Sequence, residues 1–162
     1  MISVAVAGCA GRMGQQVVAA VNGADDMQLA CGIDPALPAE DFPVFATVAE
    51  ALDACAVDVL VDFTRPDVVA ANLAEALPRG VDCVVGTTGL STEKLEELAA
   101  LGPAGTALFY APNFTTGAVL MMEFSQVAAK YFPQVEVIEY HHEKKLDAPS
   151  GTAVRTAQLI AA

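Results

Sequence analysis

Positive charge is what this sequence has least of. Its 162 residues hold 8 Lys plus Arg against 20 Asp plus Glu, a formal net charge of −12. Binding to a phosphate backbone or an anionic lipid surface needs clustered positive charge, so neither nucleic acid nor membrane is an expected partner. A small anionic ligand is not excluded, because it responds to the local field of its pocket. Also missing is any apolar run near the roughly 18 residues that span a bilayer. Val6-Ala7-Gly8-Cys9 looks superficially like a lipoprotein cleavage box, but Met1 to Ala5 carries no basic residue and is too short for an apolar leader. The four cysteines, Cys9, Cys31, Cys55 and Cys83, form no CxxC pair. They read as buried free thiols of a reducing compartment, so the expected location is the cytoplasm. There is no internal repeat and no low-complexity tract beyond general alanine richness.

What is abundant is apolar side chain. Hydrophobic residues make up 54% of the chain and charged ones 17%, below the roughly 25% charged share of ordinary globular proteins, which excludes disorder for most of the length. A globule of this size buries roughly 70% of its unfolded surface, so a core forms without disulfides or metal. Length alone allows one domain, or one domain and a fragment of another.

Ile2 to Ala7 is a Val-rich run with little polar alternation, as expected of a strand buried on both faces of a parallel sheet. Glycines follow at 8, 11 and 14, then a helix from Met13 to Val21 that Asn22-Gly23 stops. Met27 to Ile33 is the second strand, ending in Asp34-Pro35, with Pro38 and Pro43 in the loop beyond. Thr47-Val48-Ala49-Glu50 has the form of a capping box opening a helix to Ala54. Val57 to Phe63 is strand-like, Thr64 and Pro66 start a helix to Arg79, and Gly80 ends it. A strand at Cys83 to Val85, a helix at Thr92 to Leu101 and a strand at Thr106 to Tyr110 complete five strands alternating with helices. That alternation specifies an α/β fold, a Rossmann-type doubly wound parallel sheet. A long helix, Thr116 to Tyr131, a strand, Val135 to Tyr140, a polar loop, His141 to Pro149, and a helix from Ser150 follow. They read as the start of an incomplete α+β domain.

The glycine loop is Gly8-Cys9-Ala10-Gly11-Arg12-Met13-Gly14. Bare GxxGxxG is a weak pattern, but here it follows a first strand and opens a first helix, where backbone N–H groups and the positive helix end can hold a pyrophosphate. Asp34 falls 20 positions after Gly14, at the end of the second strand, where an acid can accept bonds from an adenosine ribose. Glycines serving only a tight turn are the alternative. An arginine beyond the second strand would accept a ribose phosphate; Pro35 stands there instead, which favours NADH over NADPH, although Arg12 lies close enough in sequence to permit both.

Gly86-Thr87-Thr88-Gly89 and Ala111-Pro112-Asn113-Phe114 follow the last two strands of the sheet, on the side where open α/β sheets bind ligands. Ordinary loop chemistry explains them equally well. The densest polar segment runs from Glu139 to Thr152 and contains both histidines, His141 and His142. Histidine transfers protons near neutral pH, lysine neutralises an anion, and Ser150-Gly151-Thr152 begins a helix whose free N–H groups suit a carboxylate. Adjacent His141, His142 and Glu143 seldom converge on one ion, so no metal is expected; a solvated charged turn is the structural alternative. Asp62-Phe63-Thr64 either contacts the cofactor or caps the next helix.

These motifs together resemble the dihydrodipicolinate reductase (4-hydroxy-tetrahydrodipicolinate reductase) family. The resemblance rests on Val6-Ala7-Gly8 to Met13-Gly14, Asp62-Phe63-Thr64, Gly86-Thr87-Thr88-Gly89, Asn113-Phe114 and, most specifically, His141-His142 with Lys145-Leu146-Asp147-Ala148-Pro149-Ser150-Gly151-Thr152-Ala153. It implies NAD(P)H-dependent reduction of a dihydrodipicolinate precursor, a cyclic unsaturated dicarboxylate, in lysine and diaminopimelate synthesis. It implies His141 and Lys145 as catalytic and His142, Gly151 and Thr152 as substrate-binding. Cofactor contacts carry over to Gly8, Cys9, Ala10, Gly11, Arg12, Met13, Asp34, Gly86, Thr87, Thr88, Ala111, Pro112, Asn113 and Phe114. It further implies a cytoplasmic homotetramer, a dinucleotide-binding domain over 1–114, and a truncated N-terminal part of a substrate-binding domain over 115–162. The reading from a different class is a non-catalytic nucleotide-binding module, or an inactive fragment of such a reductase.

Overall fold

The computed structural model describes residues 1–162 apart from 38, 39, 112, 133, 142, 144–147 and 162. The chain divides into two compact units, Met1–Tyr110 and Ala111–Ala162.

The first unit is built on one six-stranded sheet. Its strands are β1 (Ile2–Ala7), β2 (Met27–Ile33), β3 (Val44–Phe45), β4 (Val59–Asp62), β5 (Asp82–Val85) and β6 (Leu108–Tyr110). Their order is β3-β2-β1-β4-β5-β6, and every pairing is parallel. Between them run helices α1 (Arg12–Asn22), α2 (Val48–Ala54), α3 (Val69–Ala76) and α4 (Thr92–Ala99). This is the doubly wound α/β architecture, in which the order reverses between β1 and β4.

The Val-rich sequence of β1 makes it central. Alternate residues point to opposite faces: Ala5 and Ala7 enter a large core with Leu60, Val69, Leu73 and Val85, whereas Val4 and Val6 pack with Cys9 and Val21 on the α1 side. Helix α2 begins with both halves of the expected capping box. Thr47 Oγ1 accepts from the Glu50 N–H at 3.3 Å and the Thr47 N–H donates to Glu50 Oε2 at 3.2 Å.

Several elements differ from the sequence reading. β3 was not expected. It is two residues long, directly after Pro43, and pairs only with β2, too short to leave a periodic signal. Helix α3 begins at Val69, not at Thr64, because the intervening residues form a turn in which the Val68 N–H donates to the Arg65 carbonyl at 3.1 Å. The same helix tightens into a 3-10 turn over Leu77–Arg79, where Pro78 cannot donate, and Gly80 ends it with φ +75°.

The second unit has α5 (Thr116–Ala129) and α6 (Gly151–Ala161), with Ser150 capping α6 through a 3.2 Å bond from the Ala153 N–H. The strand expected at Val135–Tyr140 is not formed. A strand needs a ladder partner, and none pairs with this segment among the described residues; Val135, Val137, Ile138 and Tyr140 are left exposed. Among the described residues, no helix is long and apolar enough to cross a membrane.

All four cysteines are free, and Cys9, Cys31 and Cys83 are buried. Burial pushes the Cys83 thiol up to about 12, with the carboxylates of Asp62 and Asp82 adding to the effect. Burial does the same to Cys31, also to about 12, with Cys55 and Cys9 contributing. A thiol alkylating reagent at pH 8 should therefore label only Cys55 quickly in the native protein, and the other three only on unfolding; mass mapping of the labelled peptides checks this.

Candidate functional site

The carboxyl ends of β1, β2 and β4 meet at a cleft of about 610 Å³ lined by Gly8, Gly11, Asp34, Phe63, Thr64 and Asn72, among others. The glycine spacing is what allows it. Gly8 turns the chain out of β1 with φ +79°, and a Cβ there would lie 2.6 Å from the Phe63 carbonyl oxygen. A Cβ on Gly14 would lie 1.9 Å from the Gly8 carbonyl oxygen, so the first turn of α1 can rest on the loop only without a side chain. Gly11 is the N-cap of α1, and no acidic residue occupies the first turn. The N–H groups of Arg12, Met13 and Gly14 have no partner within the helix, which leaves donors and the positive helix end for an anion.

Asp34 does more than close β2. Its Oδ2 accepts from the Ala10 N–H at 3.2 Å and its Oδ1 from the Ala36 N–H at 3.0 Å. The acid therefore ties the glycine loop to the end of β2. A carboxylate has about four acceptor sites, so capacity remains for ribose hydroxyls. Pro35 and Ala36 line the cleft beside it. Arg65 also lines it, with its guanidinium forked onto Asp67 at 2.9 and 2.6 Å. Cys9 has its side chain in the α1-side core, so only its backbone is available to a ligand.

The Gly86–Thr88 segment continues from β5. Gly86 lies under the Phe63 ring, where a Cβ would come within 2.1 Å of the ring edge. Thr87 is buried and donates its hydroxyl to Asp62 Oδ1 at 2.7 Å. Sequence reasoning missed Asn72, Arg65 and Thr47 as lining residues; they sit on α3, in the turn before it and at the cap of α2, and no motif gathers them.

The second unit has its own cavity, about 570 Å³, lined by Asn113, Glu139, His141, Ser150, Thr152 and Thr156, among others. His141 Nδ1 lies 3.6 Å from Glu139 Oε2. The Ser150 N–H donates to both Glu139 oxygens, at 2.9 and 3.1 Å, so one carboxylate ties the histidine segment to the start of α6. Asn113 Nδ2 donates to Thr152 Oγ1 at 3.1 Å, and Asn113 Oδ1 accepts from the Thr115 N–H at 2.7 Å. Of the expected site residues of this unit, His141, Asn113 and Thr152 share the cavity. Ala111, Phe114 and Gly151 are not among its lining residues, while His142, Lys145 and Pro112 lie outside the described residues. Glu139 was not singled out by sequence reasoning. Its signal was only its place two residues before His141. No group of three or more potential metal ligands is gathered among the described residues.

A parallel sheet with the order 3-2-1-4-5-6, and a glycine loop opening α1 at its switch point, defines a Rossmann-type protein. Two profiles of one family cover the chain: "Dihydrodipicolinate reductase, N-terminus" over residues 2–114 and "Dihydrodipicolinate reductase, C-terminus" over residues 117–162. The chain belongs to the dihydrodipicolinate reductase family. It is 46% identical over 173 residues to the 4-hydroxy-tetrahydrodipicolinate reductase of Listeria welshimeri, covering 99% of this chain and 65% of that protein. To the same-named enzyme of Bacillus cereus it is 44% identical, covering 98% and 64%. The chain thus spans about 65% of the length of the curated relatives it matches. Among solved structures, a dipicolinate-bound dihydrodipicolinate reductase from Paenisporosarcina superposes with a TM-score of 0.82 at 41% identity, covering 99% of this chain and 66% of that one. An apo scyllo-inositol dehydrogenase from Lactobacillus casei, 15% identical with a TM-score of 0.63 and covering 79% of this chain and 42% of that one, shares the fold alone.

The Gly14 contact gives a direct test of the loop. Gly14→Ala should lower stability by about 3 kcal/mol, because a methyl group there meets backbone that cannot step aside. Gly117→Ala, on α5 with open space around it, should be neutral or stabilising by up to ~1 kcal/mol. Urea denaturation of both variants checks the contrast.

Proposed function

We propose that the chain carries the cofactor site and the proton-transfer segment of a 4-hydroxy-tetrahydrodipicolinate reductase, which uses NAD(P)H to form tetrahydrodipicolinate in lysine and diaminopimelate synthesis. The observation that carries this reading is the second unit's cavity, in which His141, held beside Glu139, shares a wall with the N-terminal turn of a capped helix. Residues 1–114 serve as the dinucleotide domain and 115–162 as the beginning of the substrate domain.

The donor set of the first cleft fits a dinucleotide. The loop from Gly8 to Met13 would hold the pyrophosphate by backbone N–H groups without a hindering side chain, and Asp34 would accept from the ribose. Gly86, Thr87, Thr88 and the segment Ala111 to Phe114 complete the proposed contacts. Asp34, Pro35 and Ala36 favour NADH: an acid repels a ribose phosphate, and the one arginine lining the cleft among the described residues is already paired with Asp67. When bound, the reduced nicotinamide supplies a hydride.

The chain's own residues handle the charge that follows. Hydride addition to a conjugated ring leaves an anion that must gain a proton, and His141 and Lys145 are the proposed donors. The carboxylate of Glu139 stands 3.6 Å from Nδ1, so Nε2 is the ring nitrogen proposed to face the substrate. His142, with the N–H groups of Gly151 and Thr152, would hold a substrate carboxylate at the positive end of α6. No metal enters this scheme. In the same reading the protein acts in the cytoplasm as a homotetramer, with a small anionic dicarboxylate as its substrate.

A non-catalytic nucleotide-binding module is the competing reading, and kinetics separates the two. Purified protein should oxidise NADH only when freshly made dihydrodipicolinate precursor is present. His141→Gln should lower turnover by about a hundredfold or more while changing NADH affinity less than twofold. NADH binding by the wild-type chain without any turnover would favour the module instead.

A further inference from the structure

Asp62 is the one acidic side chain buried completely among the described residues, at 0% exposure, and the catalytic scheme above does not use it. It ends β4, after Val59-Leu60-Val61. A carboxylate taken out of water is tolerated only when its acceptor sites are filled, and here they are. Oδ1 accepts from the Thr64 N–H at 3.0 Å, the Thr64 hydroxyl at 2.7 Å and the Thr87 hydroxyl at 2.7 Å. Oδ2 accepts from Asn72 Nδ2 at 2.8 Å.

These donors come from three different places: the turn after β4, the loop after β5, and α3. The backbone draws the same parts together. The Gly86 N–H donates to the Asp62 carbonyl at 2.9 Å, and the Phe63 N–H to the Ala7 carbonyl at 3.1 Å. Phe63 is thereby fixed with its carbonyl against Gly8 and its ring against Gly86. Phe63, Thr64 and Asn72 all line the cleft, and Asp62 does not.

We propose that Asp62 is a positioning residue for the dinucleotide site, its buried carboxylate setting the shape of the cleft by holding Thr64, Asn72 and Thr87 in register around Phe63. The proposal rests on the reading of that cleft as the NAD(P)H site. Because every bond the carboxylate makes is to a donor within the chain, its role is geometric, and hydrogen-bonding capacity matters more than charge. An asparagine at 62 keeps one oxygen for the three donors on Oδ1, and its amide can pair with a turned Asn72 amide. An alanine keeps nothing.

The test is fluorescence titration of the purified chain with NADH, alongside thermal unfolding of each variant. Asp62→Ala should weaken NADH binding about tenfold or more, and Asp62→Asn should stay within about threefold of wild type. Leu77→Ala, a core truncation at the far end of α3, should lower the unfolding temperature but leave NADH affinity within about twofold. Should Asp62→Ala not fold, Thr87→Val removes a single donor and should weaken binding by about threefold to tenfold. The proposal is overturned if Asp62→Ala or, in its place, Thr87→Val binds NADH like wild type. It is also overturned if Leu77→Ala loses as much affinity as Asp62→Ala, or if Asp62→Asn is as weak as Asp62→Ala. Wild-type protein that binds neither NADH nor NADPH would instead remove the reading of the cleft itself.

Discussion

The first unit is organised around a steric limit where β1 ends. Gly8 must leave the strand with a positive φ while the Phe63 carbonyl sits where its side chain would be, and Gly14 must pass the Gly8 carbonyl with no room for a methyl group. Two consequences follow from this one crowded spot. Helix α1 starts with its first turn against the Gly8 carbonyl, next to the cleft that Gly8 and Gly11 line, and β4 can lie directly beside β1. A bulkier loop would separate the helix from the strands and open the cleft at its floor.

Much of this was legible in the sequence because it is local. β1 and β2 match their expected limits, since a Val-rich run stopped by Gly8 and an apolar run set between Asn22-Gly23 and Asp34-Pro35 leave few alternatives. The capping box at Thr47 and Glu50 was visible because both partners lie three residues apart. What escaped is non-local or too short to be periodic. β3 has two residues and no pattern. The late start of α3 depends on a turn at Arg65–Val68 that Pro66 disguises as a helix start. Val135–Tyr140 has strand composition, but composition cannot supply a partner.

The same distinction divides the sites. The glycine loop and Asp34 could be found because their spacing follows from one βαβ unit, and His141 stood out as half of all the histidine in the chain. Asp62 looked like part of a short motif, but its bonds reach Thr64, Asn72 and Thr87, which are 2, 10 and 25 residues away. No local pattern announces such a set. Glu139 is similar: its link to Ser150 spans 11 residues, across a loop whose length a motif search does not constrain.

The two oxygens of Asp34 bond the backbone of two separate segments, one to Ala10 in the glycine loop and one to Ala36 beyond β2. On the proposed reading of the cleft, recognition of the ribose and anchoring of the glycine loop would both fall to this single side chain. On that reading, exchanging this acid for a neutral or basic residue to change the dinucleotide would also remove the acceptor that the Ala10 N–H uses in the glycine loop. Cofactor choice would then be coupled to loop order, and a successful exchange would have to install a new acceptor for the Ala10 N–H at the same time.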